Sequence, residues 1–546
     1  MMPTRTASFI LLFAAAALAQ GPAPQSQAAP ALPALNAAFG RAHHATSTNN
    51  PQAQQYFDQG MALYYGFNHE EAERCFAAAA QLDPKFAMAH WGIALAVGPN
   101  YNLDVDAERE RKAFKEITQA REFAAGAAEN ERAYITALAT RYSDAAKPDY
   151  HALAVAYSNA MRTLAQKYPT DLDASVLFAE SMMDLRPWAL WSKAGIAMPG
   201  TEEIVRTLEG VLRRDPNHLG ANHFYIHAVE ESRDPGRALP SANRLAALAP
   251  ASGHLVHMPA HIFIRTGNHE QSLATNQTAA RMDEDFFKTH PMGVYVMYYG
   301  HNLNFILVED CFLGRSAEAT QAAKKIYDLA APMAAEMPPI DPALAGPAMV
   351  AVRFRRWDDA MKLPAPAANL PVSTFLWHYA RAMAHAWNGR TSEAMQELAA
   401  MQQLAEKAAQ VPINPVGARN SARLVEIAEH AVRAKLAENS DDAEGAIAHL
   451  RAAVAVEDQM DYDEPPDWFA PMRESLGGIL LRNKKFADAD TIFREDLERN
   501  PNNPRSWFGL AEALRGEGQA DAAADAQRKF EQHWQGADVK LSVADL

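Results

Sequence analysis

Along most of the chain, apolar residues recur three and four positions apart, the spacing that puts them on one face of an α-helix. Each such run ends in a short polar turn and then resumes. Pro84, Pro216, Pro250 and Pro501 each close one apolar run and precede another, as proline does where a helix has to stop. Pro216 and Pro250 lie 34 residues apart, a length that accommodates two antiparallel helices and their turns. The pattern predicts an all-α chain of stacked helical hairpins.

Small residues recur at fixed offsets within those hairpins. In YFDQGMALYYGFNHEEAERCFAAAAQLDP, Gly60 marks where a first helix (A) touches a second (B). Ala72, Phe76 and Ala79 form the B face, and Pro84 ends the unit. LGGILLRNKKFADADTIFREDLERNP repeats this with Gly477, Ala489, Phe493 and Pro501, and a further unit starts at Trp507. Units also begin at His301 and Trp377. These residues resemble the tetratricopeptide-repeat family over nearly all of the chain after its leader. The resemblance implies a tetratricopeptide-type α-solenoid, a right-handed superhelix with a concave groove lined by A helices. The block IHAVEES…GHLVHMPAHIFIRTG, with YITALATRY before it and EPPDWFAPMRESLG after it, is similar more narrowly to a group of exported bacterial tetratricopeptide proteins. That similarity implies fold and export; it implies no reaction.

The organisation expected from these runs begins with a cleaved signal peptide over residues 1–19 and a disordered Ala/Pro/Gln leader over 20–50. Repeat units follow at 51–103, a longer charged helical pair at 104–170, and central units at 171–330. Irregular units occupy 331–460, and further units 461–546. Arg5, the apolar residues 8–16 and Ala17-Leu18-Ala19 compose the export signal, so an exported protein, periplasmic or secreted, is expected. No other stretch approaches the length of a membrane span. RPWALWSKAGIAMPGT reads as an inserted loop, and DYDEPPDWFAPMRE, with Glu464 and Arg473, as a stiff one.

Composition narrows the function. A net charge of -15 over 546 residues argues against nucleic-acid binding, which needs clustered cations. Cys75 and Cys311, the two cysteines, make no disulfide framework. Nucleophile elbows, phosphate-binding loops and dinucleotide fingerprints are absent.

The histidines are where chemistry concentrates. The resemblance implies that groove-facing residues fall at places 2, 5, 9, 12 and 13 of helix A. Counted from Gly253, His254, His257 and His261 occupy places 2, 5 and 9. Counted from Leu219, His223 and His227 occupy 5 and 9, with Glu230 and Glu231 following. Glu180 and Asp184 take places 9 and 13 from Leu172; His301 and Asn304 take 2 and 5 in the next unit. Trp91 is fifth from Ala87, and Tyr225 belongs to the same aromatic stretch. Two histidines four apart on a helix can chelate one metal ion. H-F-Y-I-H and H-M-P-A-H lack the glutamate of a zinc-protease helix, so that particular reading fails. Pro259, between two of the histidines, is expected to kink its helix and re-aim the rings.

The expectation is therefore a groove site for a divalent transition metal (zinc, copper or iron) held by His223, His227, His254, His257, His261 and His301. Glu230 or Glu180 would serve as a further ligand or as general base for a metal-dependent hydrolase or oxidase. Trp91, Asp184, Tyr225 and Asn304 would line the groove around a small molecule or peptide. The alternative is a metal-free scaffold binding a peptide or protein partner in the same groove.

Overall fold

The structure, a computed structural model, describes residues 32–104, 106–334, 337–412 and 419–546. The expected signal peptide lies outside the described residues. All regular structure in them is helical apart from two isolated bridges, Asn100 with Leu103 and Trp191 with Ala197. No helix among the described residues is long and apolar enough to cross a membrane.

In chain order the helices are α1 (Pro51–Tyr65), α2 (His69–Leu82), α3 (Ala87–Val97), α4 (Ala107–Phe123), α5 (Glu129–Leu138), α6 (Tyr150–Lys167), α7 (Leu172–Met183), α8 (Thr201–Arg214) and α9 (Leu219–Val229). Then come α10 (Leu239–Leu248), α11 (Gly253–His257), α12 (Pro259–Arg265), α13 (His269–Phe286), α14 (Val296–Phe312), α15 (Ser316–Ala330), α16 (Gly346–Arg353) and α17 (Trp357–Lys362). The remainder are α18 (Pro371–Trp387), α19 (Thr391–Ala409), α20 (Arg419–Asn439), α21 (Ala443–Glu457), α22 (Met472–Arg482), α23 (Phe486–Arg499), α24 (Pro504–Gly516) and α25 (Ala520–His533). They form two compact units. One comprises the residues up to Ile262 with Thr278–Tyr299, the other Phe263–Gln277 with Gly300–Leu546.

Both units are built from tetratricopeptide-type hairpins, because both use the same packing device. Gly60 on α1 and Gly92 on α3 sandwich the Phe76 ring of α2; a Cβ at Gly60 would fall 2.6 Å from that ring, and one at Gly92 closer still. In the second unit Gly477 and Gly509 sandwich Phe493 in the same way. Only a residue without a side chain lets a helix approach an aromatic ring so closely.

The hairpin turns share a second device. In eight hairpins the residue two before the second helix is left-handed: Phe67, Gly267, Gly314, Arg355, Gly389, Asp441, Lys484 and Gly518. The N–H of the next residue reaches back five positions, as from Asn68 to the Leu63 carbonyl and from Lys485 to that of Leu480. This closes helix A with a Schellman-type cap. Glycine takes that position without strain; Phe67 and Arg355 do not, and each projects its side chain into a buried site described below.

The first unit departs from plain nearest-neighbour stacking. Helix α1 also touches α9, with the Tyr65 and Phe67 rings 6.0 and 5.8 Å from Phe224. Residues 32–50, read from the sequence as leader, run against this hairpin. Tyr56 donates to the Pro33 carbonyl (2.9 Å), the Ser47 N–H and hydroxyl donate to Glu131, and buried His44 meets Asp173 (2.9 Å). The region 104–170 holds three helices, α4, α5 and α6, rather than a longer pair, because Gly126 and Pro148 interrupt its helical run. Residues 186–200 are irregular between α7 and α8.

Candidate metal centre

Helix α9 is buried along its whole length, and it delivers His223 and His227 one turn apart on one face. His254 and His257 come from α11, and His261 from α12. The backbone divides at Met258 and Pro259, where proline has no N–H to continue the ladder. The His261 N–H instead reaches the Met258 carbonyl three residues back (3.2 Å), a tighter turn that swings His261 toward His257.

Five imidazoles meet in the first unit, and none is more than 2% exposed. His223 Nε2 lies 3.1 Å from His254 Nε2, and His257 Nε2 lies 2.8 Å from His261 Nε2. The outer nitrogens fix the tautomers. His223 Nδ1 donates to the Tyr65 carbonyl at 2.6 Å. His227 and His261 donate from Nδ1 to the two oxygens of Glu230, at 3.2 and 2.7 Å. Three rings are thereby turned so that their Nε2 lone pairs face inward. The His227 Nε2 lone pair is buried without a hydrogen-bond partner.

Electrostatics reinforce that arrangement. Burial drives His223 and His254 well below the usual imidazole range, and neighbouring imidazoles push the same way. Burial also lowers His227. Burial would raise Glu230, but His261 and His227 outweigh it and hold the carboxyl at about 2. Burial therefore favours neutral rings at His223, His227 and His254 beside one carboxylate, the protonation states that metal binding requires.

Donor spacing suits a small ion. Metal–nitrogen bonds of about 2.0–2.1 Å in a tetrahedron place the nitrogens about 3.3 Å apart, close to both Nε2 pairs. Donor atoms of His223, His227 and His254 all lie within 4.8 Å of one another, as do those of His227, Glu230 and His261. A carboxylate behind an imidazole is the usual support of a metal-bound histidine, and Glu230 supports two. Aromatic rings wall the pocket: Phe67 (4.5 Å from His223), Tyr101 (5.2 Å from His227), Trp188 (5.9 Å from His227) and Tyr298 (4.4 Å from His254).

Of the other residues singled out in the sequence, Glu180, Asp184, Trp91 and Tyr225 lie elsewhere. Glu180 accepts from Tyr64 Oη (2.7 Å), and Asp184 pairs with Arg141 (2.6 Å). Burial raises both carboxyls, and the two form a second buried polar cluster. Trp91 is core, with its ring 6.3 Å from Phe57 and 5.5 Å from Tyr134. Tyr225 bonds Glu209 and Arg237. His301 and Asn304 are half-buried on the part of α14 in the second unit, the His301 ring 5.1 Å from Phe305. The expected groove lining of Trp91, Asp184 and Tyr225 is thus a set of interior side chains.

Sequence reasoning did not find Phe67, the Tyr65 carbonyl or Tyr101, since nothing in their spacing reports a contact between distant helices. It also passed over His44, whose neighbours Asp171 and Asp173 lie within ligand distance. There the carboxylates are already satisfied: Asp173 accepts from His44, His218 and Tyr65, and Asp171 from Tyr134 and the Ala174 N–H. That cluster is a structural knot tying the N-terminal segment to α7.

No protein-family model matches the chain, and no curated protein matches it. Among solved structures the chain is similar to Cut9–Hcn1 of the APC/C (13% identity, 90% of this chain and 75% of that one, TM-score 0.30). It is also similar to the human IFIT1 dimer with m7Gppp-AAAA (12%, 82% and 90%, TM-score 0.32) and the P58(IPK) TPR domain (12%, 86% and 99%, TM-score 0.23). At these scores the repeat assignment rests on the glycine–phenylalanine contacts and turn caps, not on the likeness.

Proposed function

We infer that the first unit is a transition-metal-binding module of an exported helical-repeat protein. The observation that carries this reading is the convergence of five buried imidazoles, three of which (His223, His227 and His261) have their outer nitrogens held so that Nε2 faces inward. A metal-free interior has little use for that arrangement, because an unpartnered buried lone pair costs about 1–3 kcal/mol. His223, His227, His254, His257 and His261 would supply the ligands. Glu230 would orient His227 and His261; with both oxygens committed to Nδ1 protons, it is not free to act as a general base. Zinc, copper and iron all suit imidazole donors. A bound ion would supply Lewis acidity if zinc, or electron transfer if copper or iron. The protein's own contribution is to exclude water, favour neutral rings at His223, His227 and His254 and fix the ring angles. Export rests on the N-terminal residue pattern.

The test is metal content of the untagged chain from residue 20 onward, as isolated and after loading with zinc, copper or iron. A near-stoichiometric ion, lost in His227→Ala/His261→Ala with the helical spectrum retained, is expected. Little metal after loading with any of the three, or equal metal in the double variant, would overturn the reading and leave a scaffold with an imidazole-rich core.

A further inference from the structure

The second unit contains a buried cationic cleft that the metal reading does not use. Arg353, Arg355, Lys435, Arg482 and Arg505 line it, against the carboxylates of Glu438 and Glu474. Trp387 forms one wall, with the Arg355 guanidinium 3.9 Å and the Lys435 ammonium 4.2 Å from its ring centre. Glu474 is engaged by Arg353 (2.6 Å) and Arg505 (2.7 Å). Glu438 is engaged by Lys435 (2.9 Å) and Arg482 (2.8 Å), and Arg355, Arg482 and Arg505 face residues 542–546.

Those residues fold into one 3-10 turn, Val543–Asp545. The Ser542 N–H and hydroxyl both donate to the Asp545 carboxylate, so the turn is organised by its own side chains. Its carbonyls then meet the guanidiniums. Arg482 donates to Val543 (3.2 Å), Arg505 to Asp545, and Arg355 to Leu546 (2.9 Å). The carbonyl end of a helical turn carries partial negative charge, which the cations complement. Leu546 is the one buried side chain of the five. It rests on Gly478, where a Cβ would come within 2.7 Å of it. Gly477 next to it already serves Phe493, so Gly478 has the separate role of admitting Leu546. About 100 Å³ of the cleft stays open beside Asp545 and Leu546.

We propose that this cleft is a recognition site for a short acidic peptide turn of the form Ser-x-x-Asp-Leu, and that residues 542–546 occupy it within the chain until a partner's turn of the same chemistry displaces them. Anchoring by three side-chain tips and one leucine, with Ser542 and Ala544 exposed and Val543 half-buried, is the construction of an exchangeable contact. A segment tethered to the same chain competes at an effective concentration on the millimolar scale, so the site responds only to a partner that is tight or abundant.

The probe is a labelled peptide of residues 540–546, KLSVADL, titrated against the full chain and against the chain lacking 542–546. The shortened chain is expected to bind it saturably, and the full chain at least about tenfold more weakly because of the tether. Gly478→Ala in the shortened chain should abolish binding, and a probe with Lys in place of Asp545 should not bind. A shortened chain with a native helical spectrum that ignores the probe, or equal binding by both chains, overturns the proposal. Should the deletion unfold the unit, hydrogen exchange of full-length Arg355→Gln decides. Lost protection confined to residues 542–546 supports an exchangeable occupant. Protection lost together with α22 to α25, or unchanged everywhere, refutes it.

Discussion

The two units place the same turn residue to opposite ends. In the first, left-handed Phe67 puts an aromatic wall against neutral imidazoles; in the second, left-handed Arg355 puts a charge into a cationic cleft. Their buried polar groups differ accordingly. Around Glu474 two guanidiniums and Asn503 saturate the carboxylate, so the protein satisfies itself. Around His227 an Nε2 lone pair has no protein partner, so the interior calls for something more. A repeat fold supplies a scaffold at near-constant geometry, and the character of each site comes from a few residues that the repeat leaves undetermined.

Breaking the self-satisfied site should have the largest effect on stability. Glu474→Ala leaves two guanidiniums buried around a lost carboxylate and should destabilise the second unit by about 3–5 kcal/mol, read by denaturant unfolding with region-resolved hydrogen exchange. If the first unit loses protection equally, the two do not respond as separate sites.

A smaller effect is expected at the first site. Glu230→Gln removes the charge behind His227 and His261 and should weaken metal binding about 10- to 100-fold with little change in helicity. Metal competition titration against a chelator checks it; unchanged affinity would remove Glu230 from the site.

Acid separates the units more finely. His223 and His254 titrate in the folded state well below 6.5, so below that pH the unfolded chain binds more protons. The metal-free first unit should be at full stability above pH 6.5 and weaken by up to about 1.4 kcal/mol per pH unit for each of the two as pH falls. Glu474 is held below 4.5 by Arg353 and Arg505 against the upward push of burial. Its stabilisation is therefore present above 4.5 and lost as pH falls through the folded value. Hydrogen exchange at pH 7 and pH 5 should show the first unit alone weakening.

The smallest change tests the shared turn. Lys484 is exposed and left-handed at φ 56, so Lys484→Gly should stabilise by about 1 kcal/mol in thermal melts. Phe67→Gly at the equivalent turn should destabilise instead, because it deletes the ring against His223.

Much of the repeat was legible in the sequence for a local reason. Gly60, Phe76, Gly477 and Phe493 stand at offsets that only helix-on-helix contact demands, and Pro259 announced its break between His257 and His261. The histidine pairs were legible for the same reason, since residues four apart on one helix share a face. The role of Glu230 was not: its second partner, His261, is 31 residues away. Nor was the burial of Trp91 and Asp184, or the seating of residues 542–546, announced by any local pattern.

Period and helical phase follow from spacing along one helix, and so the amino-acid order alone determined the hairpins, their turns and the face on which each imidazole stands. Which faces meet depends on contacts between helices far apart in the chain. Only the tertiary structure decided that α1 covers α9, that Glu230 locks two rings and that Arg355, Arg482 and Arg505 surround one turn. The reason is that a stacking period repeats at every unit, whereas a site is made by side chains whose separation in sequence carries no period at all.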